Sequence, residues 1–134
     1  LAALEATLRA YLSPATIEQS LPAYALIGRK LDEIKELVDT VQPHVERWAA
    51  GRATVTIEPG RSQVGSGSLP NQTLETWLIA LTPLRGSPEA LAKALRELRP
   101  PVIGRVHGGK VLLDLRGLFE VQPLIGALET ATRP

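Results

Sequence analysis

The hydrophobic pattern changes period at Gly51-Arg52, and that change limits the fold more than any other feature. Before it, Leu31, Ile34, Leu37, Val38, Val41, Val45 and Trp48 recur three and four residues apart, which is one face of a helix. After it, Ala53, Val55 and Ile57 alternate with Thr54 and Thr56, the period-two signature of a half-buried strand. A helix stripe and a strand face that adjoin in sequence bury each other best as two packed layers.

The remaining elements follow from local chemistry. Leu1–Leu12 puts Leu1, Leu4, Leu8, Tyr11 and Leu12 on one helical face, and Ser13-Pro14 ends it because the residue before proline avoids the α region. Ala15–Ser20 reads as a short helical turn, and Leu21-Pro22 opens another piece. Leu31–Ala50 is the strongest helix, with Asp32, Glu33 and Glu36 near its positive end, Pro43 predicting a kink near Asp39–Gln42, and Gly51 as its stop. Strands are expected at Arg52–Glu58 and Glu75–Thr82. The second is apolar on both faces, which marks an inner strand. Ser87-Pro88-Glu89 reads as N-cap and first turn of a helix carrying Leu91, Leu95 and Leu98 inward, stopped by Pro100-Pro101. Pro101–His107 and Lys110–Arg116 read as strands joined through Gly108-Gly109, a two-residue hairpin signal. A last helix over Glu120–Thr130 buries Val121, Leu124, Ile125 and Leu128, with Pro123 in its first turn. The order predicts an α+β fold: residues 1–50 as a helical lead-in, residues 51–134 as a small, mostly antiparallel four-stranded sheet with helices on one face, the two forming one unit.

With 134 residues, the chain is long enough for an ordinary core without staples. Fifteen basic against 14 acidic side chains leave a net charge of +1, which argues against a broad electrostatic footprint for nucleic acid. The absence of cysteine excludes disulfides and thiolate metal sites. No apolar run reaches a membrane span's length of roughly 20 residues, and no secretory leader is visible. The chain begins with Leu and contains no Met, which reads as a piece of a longer protein or a processed product.

Between the first two strands lies Gln63-Val-Gly-Ser-Gly-Ser-Leu-Pro70. Gly65, Ser66, Gly67 and Ser68 make either a plain connection or a backbone able to hold an anion. Nucleotide motifs fail here. Gly60-x-x-x-x-Gly65 lacks the following lysine of a phosphate loop. Gly65-Ser-Gly67 meets Pro70 where a dinucleotide fingerprint needs its third glycine. No nucleophile elbow can be drawn. His44 and His107 are far apart without matched carboxylates, so no metal site is expected. Arg105 and Arg116 stand out in apolar strands. Alternation places Leu112, Asp114 and Arg116 on one strand face. One reading pairs Arg105 with Asp114 across the hairpin; the other aims a guanidinium at a carboxylate or phosphate.

Gln63-Val-Gly-Ser-Gly-Ser-Leu-Pro70, then Pro100-Pro-Val-Ile-Gly-Arg105 and Leu112-Leu-Asp-Leu-Arg116, taken in that order with Leu1-Ala-Ala-Leu-Glu-Ala-Thr-Leu8, resemble the C-terminal part of the bacterial selenocysteine synthases. The resemblance implies the small domain of a fold type I, pyridoxal-phosphate enzyme. That family makes selenocysteinyl-tRNA(Sec) from seryl-tRNA(Sec) and selenophosphate through an aminoacrylyl intermediate, with the cofactor as electron sink. It also implies a cytoplasmic setting and a ring-like homo-oligomer for the parent protein. The family's Schiff-base lysine lies upstream, and Lys30, Lys35, Lys93 and Lys110 match no such motif, so no catalytic residue and no bound cofactor are expected in this piece. By the resemblance, Arg105 would face the substrate or donor anion, with Arg116 second and Gly65–Ser68 as the loop. The alternatives are a related pyridoxal-phosphate enzyme acting on a free amino acid or amino sugar without tRNA, and a stand-alone binding module.

Overall fold

A computed structural model describes residues 1–12, 17, 21–63 and 73–132. Among the described residues three helices come first: α1 (Ala2–Tyr11), α2 (Pro22–Gly28) and α3 (Leu31–Ala49). Strands β1 (Ala53–Gln63) and β2 (Thr73–Pro83), helix α4 (Pro88–Arg96), strands β3 (Arg105–His107) and β4 (Lys110–Asp114), a 3-10 turn (Leu115–Gly117) and helix α5 (Gln122–Thr132) complete the chain. The four strands form one sheet in the order β1-β2-β4-β3, every neighbouring pair antiparallel. The architecture is α+β, and β2 is an inner strand, as its two apolar faces require.

Helices α3, α4 and α5 cover one sheet face. The α3 stripe meets Ile79 and Leu81 of β2, Val111 and Leu113 of β4, and Leu95, Leu124 and Leu128 of the other helices in one core. Ile34, Val38, Val41 and Val45 are fully buried, each contributing about 1.5–3 kcal/mol by leaving water. Helix α3 runs through Pro43. Arg52, just past its end, lies 5.1 Å over the buried Trp48 ring. Ser87 caps α4 by accepting from the Ala90 amide at 3.3 Å. Gly108 and Gly109, at φ of 58° and 77°, supply the positive φ values that a two-residue hairpin turn demands.

Three element boundaries differ from expectation. Strand β1 continues past Glu58 to Gln63, pairing with β2 from Ala53↔Pro83 to Gln63↔Thr73. Pro59 is tolerated because β1 is an edge strand. Strand β4 meets β2 only over Leu78–Leu81, so Pro59–Gln63 and Thr73–Trp77 form a two-stranded arm beyond the sheet. Second, Pro101–Gly104 do not join β3; the Val102 amide donates to Leu95 O at 3.0 Å instead, satisfying a carbonyl at the end of α4. Third, β4 stops at Asp114, whose side chain accepts from the Arg116 amide at 3.1 Å and bends the chain into the 3-10 turn. Arg116 therefore leaves the strand, and alternation does not set its direction. Helix α1 buries no residue; Leu1, Leu4, Leu8, Tyr11 and Leu12 are exposed, and Tyr11 meets Tyr24 of α2 edge-on at 5.7 Å.

Candidate functional site

The second sheet face carries the candidate site. Register places Glu58 and Thr56 of β1 opposite Leu78 and Ala80 of β2. These in turn lie opposite Asp114 and Leu112 of β4, and Leu112 lies opposite Arg105 of β3. Leu78, Ala80 and Leu112 make a small buried cluster separate from the main core. Two devices cover it. Lys110 reaches Glu58 across β2, and that hydrogen bond, with a second from Thr56, holds the Glu58 carboxyl below its ordinary pKa. At Gly60 the strand approaches Leu78 so closely that a Cβ would stand 2.3 Å from Leu78 Cδ1.

Beside this cluster is an open cavity of about 610 Å³. Its floor is apolar, from Leu74, Leu78 and Leu112, the exposed Ile103 stands at its edge, and helix α2 lends Leu26 and Ile27 to one wall. Ser62, Arg105, Asp114 and Arg116 supply polar groups. Both arginines singled out in the sequence thus border one space, but in different states. Arg105 is exposed and has no hydrogen bond or ion pair among the described residues. It stands opposite Leu112 rather than Asp114, so the cross-strand Arg105–Asp114 pair does not form.

Asp114 is engaged elsewhere. It accepts from Ser62 Oγ, from Thr76 Oγ1 at 2.9 Å and from the Arg116 amide, which ties the β1–β2 arm to the 3-10 turn. Arg116 is 8% exposed. Its Nη1 donates to the carbonyls of Leu26, Ile27 and Arg29, and its Nη2 to Glu75 O at 2.5 Å. Burial lowers its pKa, the Asp114 charge opposes that, and the Arg29 charge adds to it; an arginine still stays cationic throughout the physiological range. Four of its contacts are backbone carbonyls, so this guanidinium holds structure together in the present conformation.

Arg29 escaped the sequence reading. It donates to three carbonyls about ninety positions away along the chain, and no local pattern marks a residue that acts at that separation. Thr76 carried a signal: a hydroxyl residue beside the apolar run of an inner strand needs a partner when it is buried. Gly65, Ser66, Gly67 and Ser68 lie outside the described residues; the chain enters that segment from Gln63, which lines the cavity. His44 Nδ1 sits 2.9 Å from Glu129 and beside Arg47, joining α3 to α5 at the surface. Among the described residues no three His, Cys, Asp or Glu side chains cluster as metal ligands.

None of the four lysines lines the cavity. Lys35 pairs with Asp39, Lys93 with Glu97 and Lys110 with Glu58, and Lys30 is exposed at the start of α3. These residues do not form a pyridoxal-phosphate site by themselves, because no amine is placed to hold the aldehyde carbon.

Fold and site together define a small α+β domain, helix-covered on one sheet face and open on the other, with Arg105, unpaired among the described residues, on the rim of an apolar hollow. The family model for L-seryl-tRNA selenium transferase matches residues 1–119. Proteins called L-seryl-tRNA(Sec) selenium transferase from Photorhabdus laumondii, Klebsiella pneumoniae and Desulfomicrobium baculatum are 39%, 45% and 38% identical to it. Those matches cover 96%, 88% and 91% of this chain, but only 28%, 26% and 26% of the three relatives. The chain belongs to the L-seryl-tRNA selenium transferase family and spans just over a quarter of the length of these curated relatives.

Proposed function

We propose that this chain is the small C-terminal domain of a selenocysteine synthase, with residues 1–50 leading in and residues 51–134 forming the sheet domain. The whole protein converts seryl-tRNA(Sec) to selenocysteinyl-tRNA(Sec) with selenophosphate as donor, works in the cytoplasm and assembles as a homo-oligomer. The observation that carries this reading is the family match over residues 1–119, joined to a sheet face whose exposed Arg105 has no partner among the described residues. Among the described residues no helix is long and apolar enough to cross a membrane.

Pyridoxal phosphate, held by a lysine elsewhere in a fold type I parent, would supply the electron sink. The residues present here have other work. Arg105 attracts the anionic selenium donor by a charge-assisted hydrogen bond. The apolar floor lowers the local dielectric, which strengthens that attraction. The Asp114 and Arg116 contacts keep the surrounding walls in place.

The test uses seryl-tRNA(Sec), selenophosphate and cofactor. The chain alone should give no turnover and no lysine-dependent near-ultraviolet absorbance band, and the full-length protein should give both. In the full-length protein Arg105→Ala should lower kcat/KM by about 10²-fold with unchanged circular dichroism. Turnover by the isolated chain, or normal activity of the variant, would reject the respective assignment.

A further inference from the structure

Helix α2 has little to hold it by ordinary means. It has seven residues, no side-chain cap and no buried residue, and a helix of that length is unstable alone in water. Its last carbonyls lack intrahelical donors, because the chain turns at Arg29-Lys30 into α3. Those carbonyls are where Arg116 binds: Nη1 lies 3.4, 3.1 and 2.8 Å from Leu26 O, Ile27 O and Arg29 O. The reverse contact is also made. Arg29 Nη1 lies 3.4, 3.2 and 2.7 Å from Leu115 O, Arg116 O and Leu118 O. Each guanidinium thus caps the backbone that carries the other.

We propose that Arg29 and Arg116 are positioning residues, a reciprocal clasp that holds α2 in place as a wall of the cavity bordered by Arg105. Two like charges approach each other here, which is unfavourable alone. The carbonyl oxygens between them offset it, carrying the negative end of the α2 dipole and the bent carbonyls of the 3-10 turn. The Glu75 contact of Arg116 Nη2 extends the same hold to the β1–β2 arm. One turn of chain, Asp114–Gly117, therefore fixes the two walls that flank the hollow.

The two arginines differ in a way that can be tested. Arg29 makes all three bonds through a single nitrogen, a task within reach of an ammonium with its three donors. Arg116 needs two nitrogens, one for α2 and one for Glu75 O, which an ammonium cannot supply in the same geometry. The measurement is NMR of the intact chain, following the Arg116 Nη protons and the backbone amides. Arg29→Gln should make Arg116 Nη and α2 amide protons exchange about tenfold faster or more, with α3 and β2 amides as protected as before. Arg29→Lys should restore most of the protection, whereas Arg116→Lys should not. Unchanged Arg116 Nη protection in Arg29→Gln would overturn the clasp. So would a loss of protection spread equally through α3 and β2, which would signal a merely structural role. Should Arg116→Lys fail to fold, the two Arg29 variants decide the matter by themselves.

Discussion

Replacing Asp114 by alanine removes the acceptor of three donors at once, and the loss can be worked out group by group. Ser62 lines the open cavity, so its hydroxyl regains water and contributes little. Thr76 is 2% exposed, and its hydroxyl is left without an acceptor, at about 1–3 kcal/mol. The Arg116 amide loses the cap of the 3-10 turn, about 1 kcal/mol by analogy with a helix N-cap. The Arg116 guanidinium also loses the neighbouring charge that supports it in its buried position. The sum is about 2–4 kcal/mol, a large part of the 5–15 kcal/mol that holds a typical domain together. Urea unfolding followed by the fluorescence of Trp48 and Trp77 should show a midpoint about 1–2 M lower at unchanged slope. Ser62→Ala, in the same assay, should shift it far less. A loss below about 0.5 kcal/mol for Asp114→Ala, the level of an ordinary surface change, would refute the reasoning that this carboxylate is the hub of the turn.

Gly60→Ala brings a methyl within 2.3 Å of Leu78 Cδ1 and 2.7 Å of its Cγ, so it should cost about 1–3 kcal/mol in thermal unfolding; in a Leu78→Ala background the same change should cost almost nothing. Because Lys110 holds the Glu58 pKa below its ordinary value, that pair's contribution is fully present above the unfolded glutamate pKa and is lost as pH falls through the lowered folded value. Lys110→Met should therefore flatten the acid limb of stability against pH, and an unchanged limb would count against the pair. The exposed Leu4 and Leu8 on α1 form an apolar stripe. Sedimentation of the isolated chain should show concentration-dependent association that Leu4→Gln/Leu8→Gln abolishes, with the unfolding midpoint unmoved because α1 buries nothing.

Local chemistry made much of the fold legible. The seven-residue stripe of α3 could bury its apolar face only against another layer, the both-sided apolarity of Trp77–Leu81 demanded neighbours on each side, and Ser87-Pro88 and Gly108-Gly109 set a cap and a turn through backbone rules that operate within four residues. Boundaries were harder wherever a distant partner took over. Strand β1 outruns its alternation because eleven residues of β2 pair with it. Pro101–Gly104 left the sheet because Val102 found a carbonyl on α4. Asp114 ended β4 by capping its own turn.

The site divides along the same line. The sequence by itself showed that Arg105 and Arg116 were out of keeping with apolar strands, since a guanidinium in such a place needs a reason. Only the tertiary structure decided where each of them lies and what surrounds it. A register that sets Arg105 against Leu112 left it at the mouth of the cavity, while the turn after Asp114 swung Arg116 among the carbonyls of α2 and β2. Side-chain type is fixed by the sequence, but the direction of a long charged side chain depends on which backbone groups, from segments up to ninety positions apart, are left wanting a partner when the chain is packed.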